Sequence, residues 1–181
     1  MGARAVLDIV DDTGRPFRFI SPWASPPFQI PHLARFIHDT DAAGDAVTPA
    51  AYRIWAADHP GTLPVVEIDP PDGFSGDLEY RYRLDLSTAT CLSYTVRERT
   101  RLRRRPSWRT THTLTGRSEL YRAAADMCEG LARRSRRLAE RTGGAGLLGF
   151  PGPDRWRAEA ATFTAWLDAC ETPVKGVPPM T

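Results

Sequence analysis

Arginine is the reactive side chain that this sequence supplies in quantity. Thr95 to Thr110, TVRERTRLRRRPSWRT, holds seven arginines in sixteen residues, and ARRSRRLAER, Ala132 to Arg141, adds five more. A guanidinium pairs bidentately with phosphate or carboxylate, so clustered arginines point to a phosphate backbone or an acidic protein surface. The first run divides in two. A three-residue loop, Ser87-Thr88-Ala89, would set Leu84 opposite Leu92 and Tyr82 opposite Tyr94. It would also give Arg97 and Arg99 the acidic cross-strand neighbours Glu79 and Asp77. Arg101, Arg103, Arg104 and Arg105 instead fall at a turn before Pro106, and no acidic residue occurs from Thr100 to Arg117 to balance them. With Arg133, Arg134 and Arg137 of the second run, they are the expected contacts to nucleic-acid backbone or an acidic partner.

Other residues with chemical potential fit their sequence context without a catalytic role. Gly144 to Gly149, GAGLLG, matches GxGxxG but lies between two helical stretches. A dinucleotide loop must leave a strand and open a helix, so this segment reads as a linker. Asp72 with Glu79 and Arg81 echoes a metal-dependent nuclease motif, but the spacing is short and Arg stands where that chemistry needs Lys. His32 and His38 are separated by about 120° around a helix and share no face. His38 to Asp41, HDTD, suits a solvated helix end. His112 alternates with Trp108, Thr110 and Leu114 as a half-buried strand residue would. Cys91, Cys128 and Cys170 have no metal-ligand spacing and lie on apolar faces. No catalytic residue, metal site or cofactor is expected from these patterns. A second candidate interaction element is the proline-rich stretch SPWASPPFQIP, where Trp23 and Phe28 could serve as a partner-binding loop.

The bulk properties suit one domain of ordinary size: 181 residues, 41% hydrophobic, 25% charged, with a formal net charge of +2. Charge is unevenly spread. Residues 1–76 carry five arginines against ten acids, while residues 77–142 carry sixteen against eight. The sparse cysteines suit reduced thiols, and no run reaches the ~20 apolar residues of a membrane helix. A cytoplasmic protein is therefore expected.

The elements that must position these residues follow from periodicity. Val6 to Val10 and Phe17 to Ile20 form a hairpin across the turn Asp11-Asp12-Thr13-Gly14. Pro31 opens a short helix ended by Gly44, and Thr48 caps a second helix with Pro49 in its first position. Leu78, Tyr80, Tyr82, Leu84 and Leu86 alternate with charged residues, so the tyrosines face a core and not a stacked base. Ser118 to Arg141 is helical, and Asp154 would cap the last helix. The expected fold is α+β: a mainly antiparallel sheet, from an N-terminal hairpin plus a central β-meander, with about four helices packed on it. Residues 1–172 form one domain and 173–181 a flexible tail. The function expected is a non-enzymatic binding protein contacting nucleic-acid backbone or an acidic protein. The alternatives are an adaptor using the Trp23 loop and an enzyme whose site assembles only in space.

Overall fold

The computed structural model describes residues 4–21, 25–59, 66–68, 78–86, 93–100, 107–142 and 151–172. Strands β1 (Arg4–Val10) and β2 (Pro16–Ser21) are followed by helices α1 (Pro26–Ala42) and α2 (Pro49–Asp58). Strands β3 (Val66–Ile68), β4 (Leu78–Asp85), β5 (Ser93–Thr100) and β6 (Ser107–Thr115) come next, then helices α3 (Gly116–Arg141) and α4 (Pro153–Glu171). The strands form one sheet in the order β3-β2-β1-β4-β5-β6.

The α+β class stands, but the sheet is mixed. Its central pair, β1 with β4, runs parallel, Leu7 opposite Tyr82 and Ile9 opposite Leu84. The middle of the sheet is therefore this seam and not a meander; β4, β5 and β6 run from it to the far edge. Sequence alternation specifies which face a strand buries but not which neighbour it takes, which is why the seam escapes a pattern-based reading.

The β1–β2 turn is held by Asp11, whose carboxylate accepts from the Thr13 and Arg15 amides at 3.0 and 2.9 Å, with Gly14 at φ +84°. On the sheet face away from Leu7 and Ile9, Asp8 stands opposite Arg18 and accepts two hydrogen bonds from its guanidinium, at 2.6 and 2.8 Å. On the other face Ala5, Leu7, Ile9, Phe19, Tyr82, Leu84 and Val96 meet the helices.

One strand register and one strand alternation differ from the sequence expectation. Tyr82 pairs with Val96 and Leu84 with Tyr94, so Arg81 stands opposite Arg97 in place of Glu79. Both registers keep the apolar face intact, and they differ only by charge pairings of about 0.2–1 kcal/mol. A contact of similar size offsets the like-charge pair: the Arg81 guanidinium lies 4.4 Å from the centre of the Trp108 ring. Between β5 and β6 the pairing shifts at Val96/Arg97, with Val96 opposite His112 and Arg97 opposite Thr110. The extra residue, Thr111, reverses the alternation. His112 and Leu114 share the helix side, whereas Trp108 and Thr110 lie on the other side with Arg81.

Helix α1 begins five residues before Pro31, at Pro26, with Ser25 as its N-cap. Pro26 and Pro27 occupy positions whose amides have no helical partner, so two prolines start the helix and Pro31 is absorbed inside it. The gain is burial of Gln29, Ile30, Leu33, Phe36 and Ile37. Thr48 caps α2 as expected, its hydroxyl accepting from the Ala51 amide at 3.0 Å. The N-cap of α4 is Gly152; Asp154 lies inside the helix and pairs with Arg157 at 2.7 Å.

Helices α1 and α3 carry most of the helical core positions, including Leu120, Ala124 and Cys128 on α3. Burial pushes the Cys128 thiol up to about 12, so it is an inert core residue. Helix α4 is an outer layer: only Ala160 and Phe163 are buried, and Cys170, expected in the core, is exposed.

Candidate functional site

The second arginine run lies on the C-terminal half of α3. Leu131, Ala132 and Ser135 turn inward, and Ser135 Oγ donates to the Pro151 carbonyl at 3.0 Å, pinning the start of α4 beside this segment. That orientation sends Arg133, Arg134, Arg136, Arg137 and Arg141 to solvent. Arg133, Arg134, Arg137 and Arg141 recur at three- and four-residue steps, forming a row of about 12 Å along the helix.

These arginines differ from six others in how their charge is met. Arg18, Arg35, Arg83, Arg117, Arg122 and Arg157 are each paired with a carboxylate: Asp8, Glu159, Asp85, Asp41, Glu171 and Asp154. On α3, Arg133 reaches Glu129 at 3.8 Å. Arg134, Arg136, Arg137 and Arg141 have no ion-pair partner among the described residues. The helix dipole favours cations in the last turn, which accounts for Arg141. It does not reach back two turns to Arg133 and Arg134.

The other expected contacts divide by position. Arg101, Arg103, Arg104 and Arg105 lie outside the described residues, as do Trp23 and the GAGLLG segment. Phe28 lies in the first turn of α1, half-buried, with its ring edge-on to Trp156 at 5.9 Å.

Sequence patterns gave no hint of a cleft of about 410 Å³ between α1, the end of α2 and α4. Arg35 and Asp39 come from α1, His59 from the residue that ends α2, and Arg155, Glu159, Thr162 and Trp166 from one stripe of α4. Asp39 is the hub. Its Oδ2 accepts from Trp55 Nε1 at 3.0 Å and lies 3.5 Å from His59 Nε2, and its Oδ1 lies 3.3 Å from His38 Nδ1. His59 is held by its other nitrogen: Nδ1 is 2.7 Å from the Trp55 carbonyl, which only accepts, so Nδ1 carries a proton. Its ring also stacks on Trp55, 4.3 Å between centroids.

His32 and His38 diverge around α1, as their spacing requires. His32 packs against Tyr52 and Trp55, and burial lowers its pKa to about 4, with Arg35 and His59 adding repulsion. His38 stacks on Trp166 of α4. The cleft residues are separated by up to 131 positions; the only local signal was HDTD, which contains Asp39.

Comparison with known proteins gives no relative. No family model, curated protein or solved structure matches the chain. Among the described residues, no cluster of three or more His, Cys, Asp or Glu is arranged to hold a metal ion. No helix there is long and apolar enough to cross a membrane.

Proposed function

We propose that the C-terminal half of α3 binds a nucleic-acid backbone, with Arg133, Arg134, Arg137 and Arg141 contacting successive phosphates. One observation carries this reading: these guanidiniums form a solvent-facing row, most of it without carboxylate partners among the described residues, whereas six arginines elsewhere are each paired with a carboxylate. A protein partner is the weaker fit. Protein interfaces are anchored by buried aromatic or aliphatic side chains, whereas the exposed positions of this segment are arginines and Glu140. The row carries no aromatic or amide side chain, and clustered guanidiniums pair with phosphates whatever the base sequence, so backbone contact is the simpler reading. Arg101, Arg103, Arg104 and Arg105 form a second candidate contact, tested separately.

Fluorescence anisotropy with labelled DNA and RNA at two salt concentrations tests the proposal. Each phosphate contact contributes about −0.9 to the slope of log K against log salt on duplex DNA, so the combined Arg134→Ala, Arg137→Ala and Arg141→Ala variant should lose about 2 to 3 from that slope. A parallel variant with Arg101, Arg103, Arg104 and Arg105 replaced by Ala reports on the second segment. No binding at low salt, or equal affinity for polyglutamate and DNA, would overturn the nucleic-acid reading; the latter result would indicate an acidic protein.

A further inference from the structure

We propose that the cleft between α1 and α4 binds a small planar anion, with its charged head at Arg155 and Arg35 and its ring against Trp166. The volume, about 410 Å³, lies within the usual range for small-molecule sites. The argument concerns what the lining has left to offer a ligand. Both carboxylates are engaged: Glu159 holds Arg35, and Asp39 accepts from Trp55 beside His38 and His59. The unspent groups are donors. Arg35 uses Nη2 on Glu159, and its remaining N–H groups have no protein partner among the described residues. Arg155 has no ion-pair partner there either.

Arg155 also sits against local preference. It occupies the first turn of α4, where the helix dipole favours an acid, and neighbouring Asp154 is paired with Arg157 instead. A cation placed there is stabilised by an anion arriving from outside. The far end of the same α4 stripe is rigid before any ligand enters. Trp166 is stacked by His38 at 3.6 Å and met edge-on by Phe163 at 5.1 Å and Tyr121 at 5.7 Å. A fixed aromatic plane beside small Thr162 and Ala158 selects a flat body, and preorganisation lowers the entropy lost on binding. A carboxylate and a phosphate offer the same chemistry to these arginines, so the head group is an anion of either kind.

The test uses the full chain, with equilibrium dialysis and intrinsic tryptophan fluorescence as readouts. The probes are 1-naphthoate and adenosine 5′-monophosphate, their uncharged counterparts 1-naphthamide and adenosine, and inorganic phosphate. At least one planar anion should bind with Kd of about 1 mM or tighter, and its uncharged counterpart should not. Which anion binds distinguishes carboxylate from phosphate. Arg155→Ala should weaken binding by about tenfold or more, a loss typical of a charge-assisted hydrogen bond. Thr162→Phe, an exposed position, should abolish it by filling the slot, with far-ultraviolet circular dichroism confirming that both variants fold. The Arg134→Ala, Arg137→Ala and Arg141→Ala variant should bind the anion unchanged, so failure of the α3 proposal and failure of this one are separate results. Absence of saturable binding by both planar anions overturns the proposal. So does binding insensitive to both cleft substitutions, or inorganic phosphate binding as tightly as the nucleotide.

Discussion

His38 lies flat on Trp166, ring centroids 3.6 Å apart and planes 7° from parallel. The pair joins α1 to the outer helix α4, and the ion pair of Arg35 with Glu159 makes a second tie. The cleft lies between two helices held by these side-chain links.

If the stack positions α4, removing it should loosen the helix without unfolding the core. His38→Ala is expected to lower stability by about 1 kcal/mol, and His38→Phe to recover most of that because it restores the ring. Urea denaturation of the three proteins measures both effects. An alanine variant as stable as the wild type would show that the stack contributes nothing.

The half-buried His32 gives stability a defined pH dependence. Its folded pKa is lowered to about 4 from an unfolded 6.5, first by burial and then by Arg35 and His59. The unfolded chain therefore takes up a proton at pH values where the folded one does not. The contribution is fully present above pH 6.5 and is lost as pH falls towards 4. It amounts to at most about 3 kcal/mol. Carboxylates titrate in the same window, so the informative measurement is the difference between wild type and His32→Gln in melts from pH 7 to 4. Parallel curves would contradict the assignment.

Phe163 is the fully buried side chain by which α4 enters the core. Phe163→Ala should cost about 3–5 kcal/mol through lost burial and the cavity left behind. Because Phe163 and Ala160 are the buried positions of α4, with Trp156, Trp166 and Leu167 partly covered, hydrogen exchange in α4 should rise more than in α3. Uniform acceleration across both helices would mean that they unfold as one unit.

On the sheet face away from Leu7 and Ile9, Asp8 and Arg18 form a two-bond ion pair with side chains 18% and 24% exposed. Asp8→Ala should cost about 1 kcal/mol or somewhat more. The double variant with Arg18→Ala should be less destabilised than the two single losses added together. Strict additivity in that cycle would show that the pair is not coupled.

Local physics was readable from the chain and partner choice was not. The Asp11 turn, the Thr48 cap and the burial of Leu78, Tyr82 and Leu84 each follow from a few adjacent residues. The start of α1 was hidden by its prolines, which usually signal irregular backbone; only the burial of Gln29 and Ile30 explains a helix there. The β4–β5 register turned on a charge-pairing preference smaller than the uncertainty in what Arg81 contacts, and its contact, Trp108, reached the right face only through the extra residue Thr111. The row on α3 was legible because a single helix builds it. The cleft was illegible because Asp39, His59 and Arg155 meet only after α1, α2 and α4 have docked.

The parallel pair at the centre of the sheet also governs the order of assembly. β1 joins β2, and β4 joins β5, across short separations in sequence, but the chain leaves β1 at Val10 and returns to it only at Leu78. Pairings between distant segments form slowly because the intervening chain must first be confined. The most interior pairing of the native sheet spans the longest stretch of chain among the described pairings and is expected to close last. Until then, two half-sheets carry bare strand edges next to apolar rows, Leu7 and Ile9 on one and Tyr82 and Leu84 on the other. Each half is a template for the matching half of another copy, so concentrated refolding favours exchange between chains at this seam.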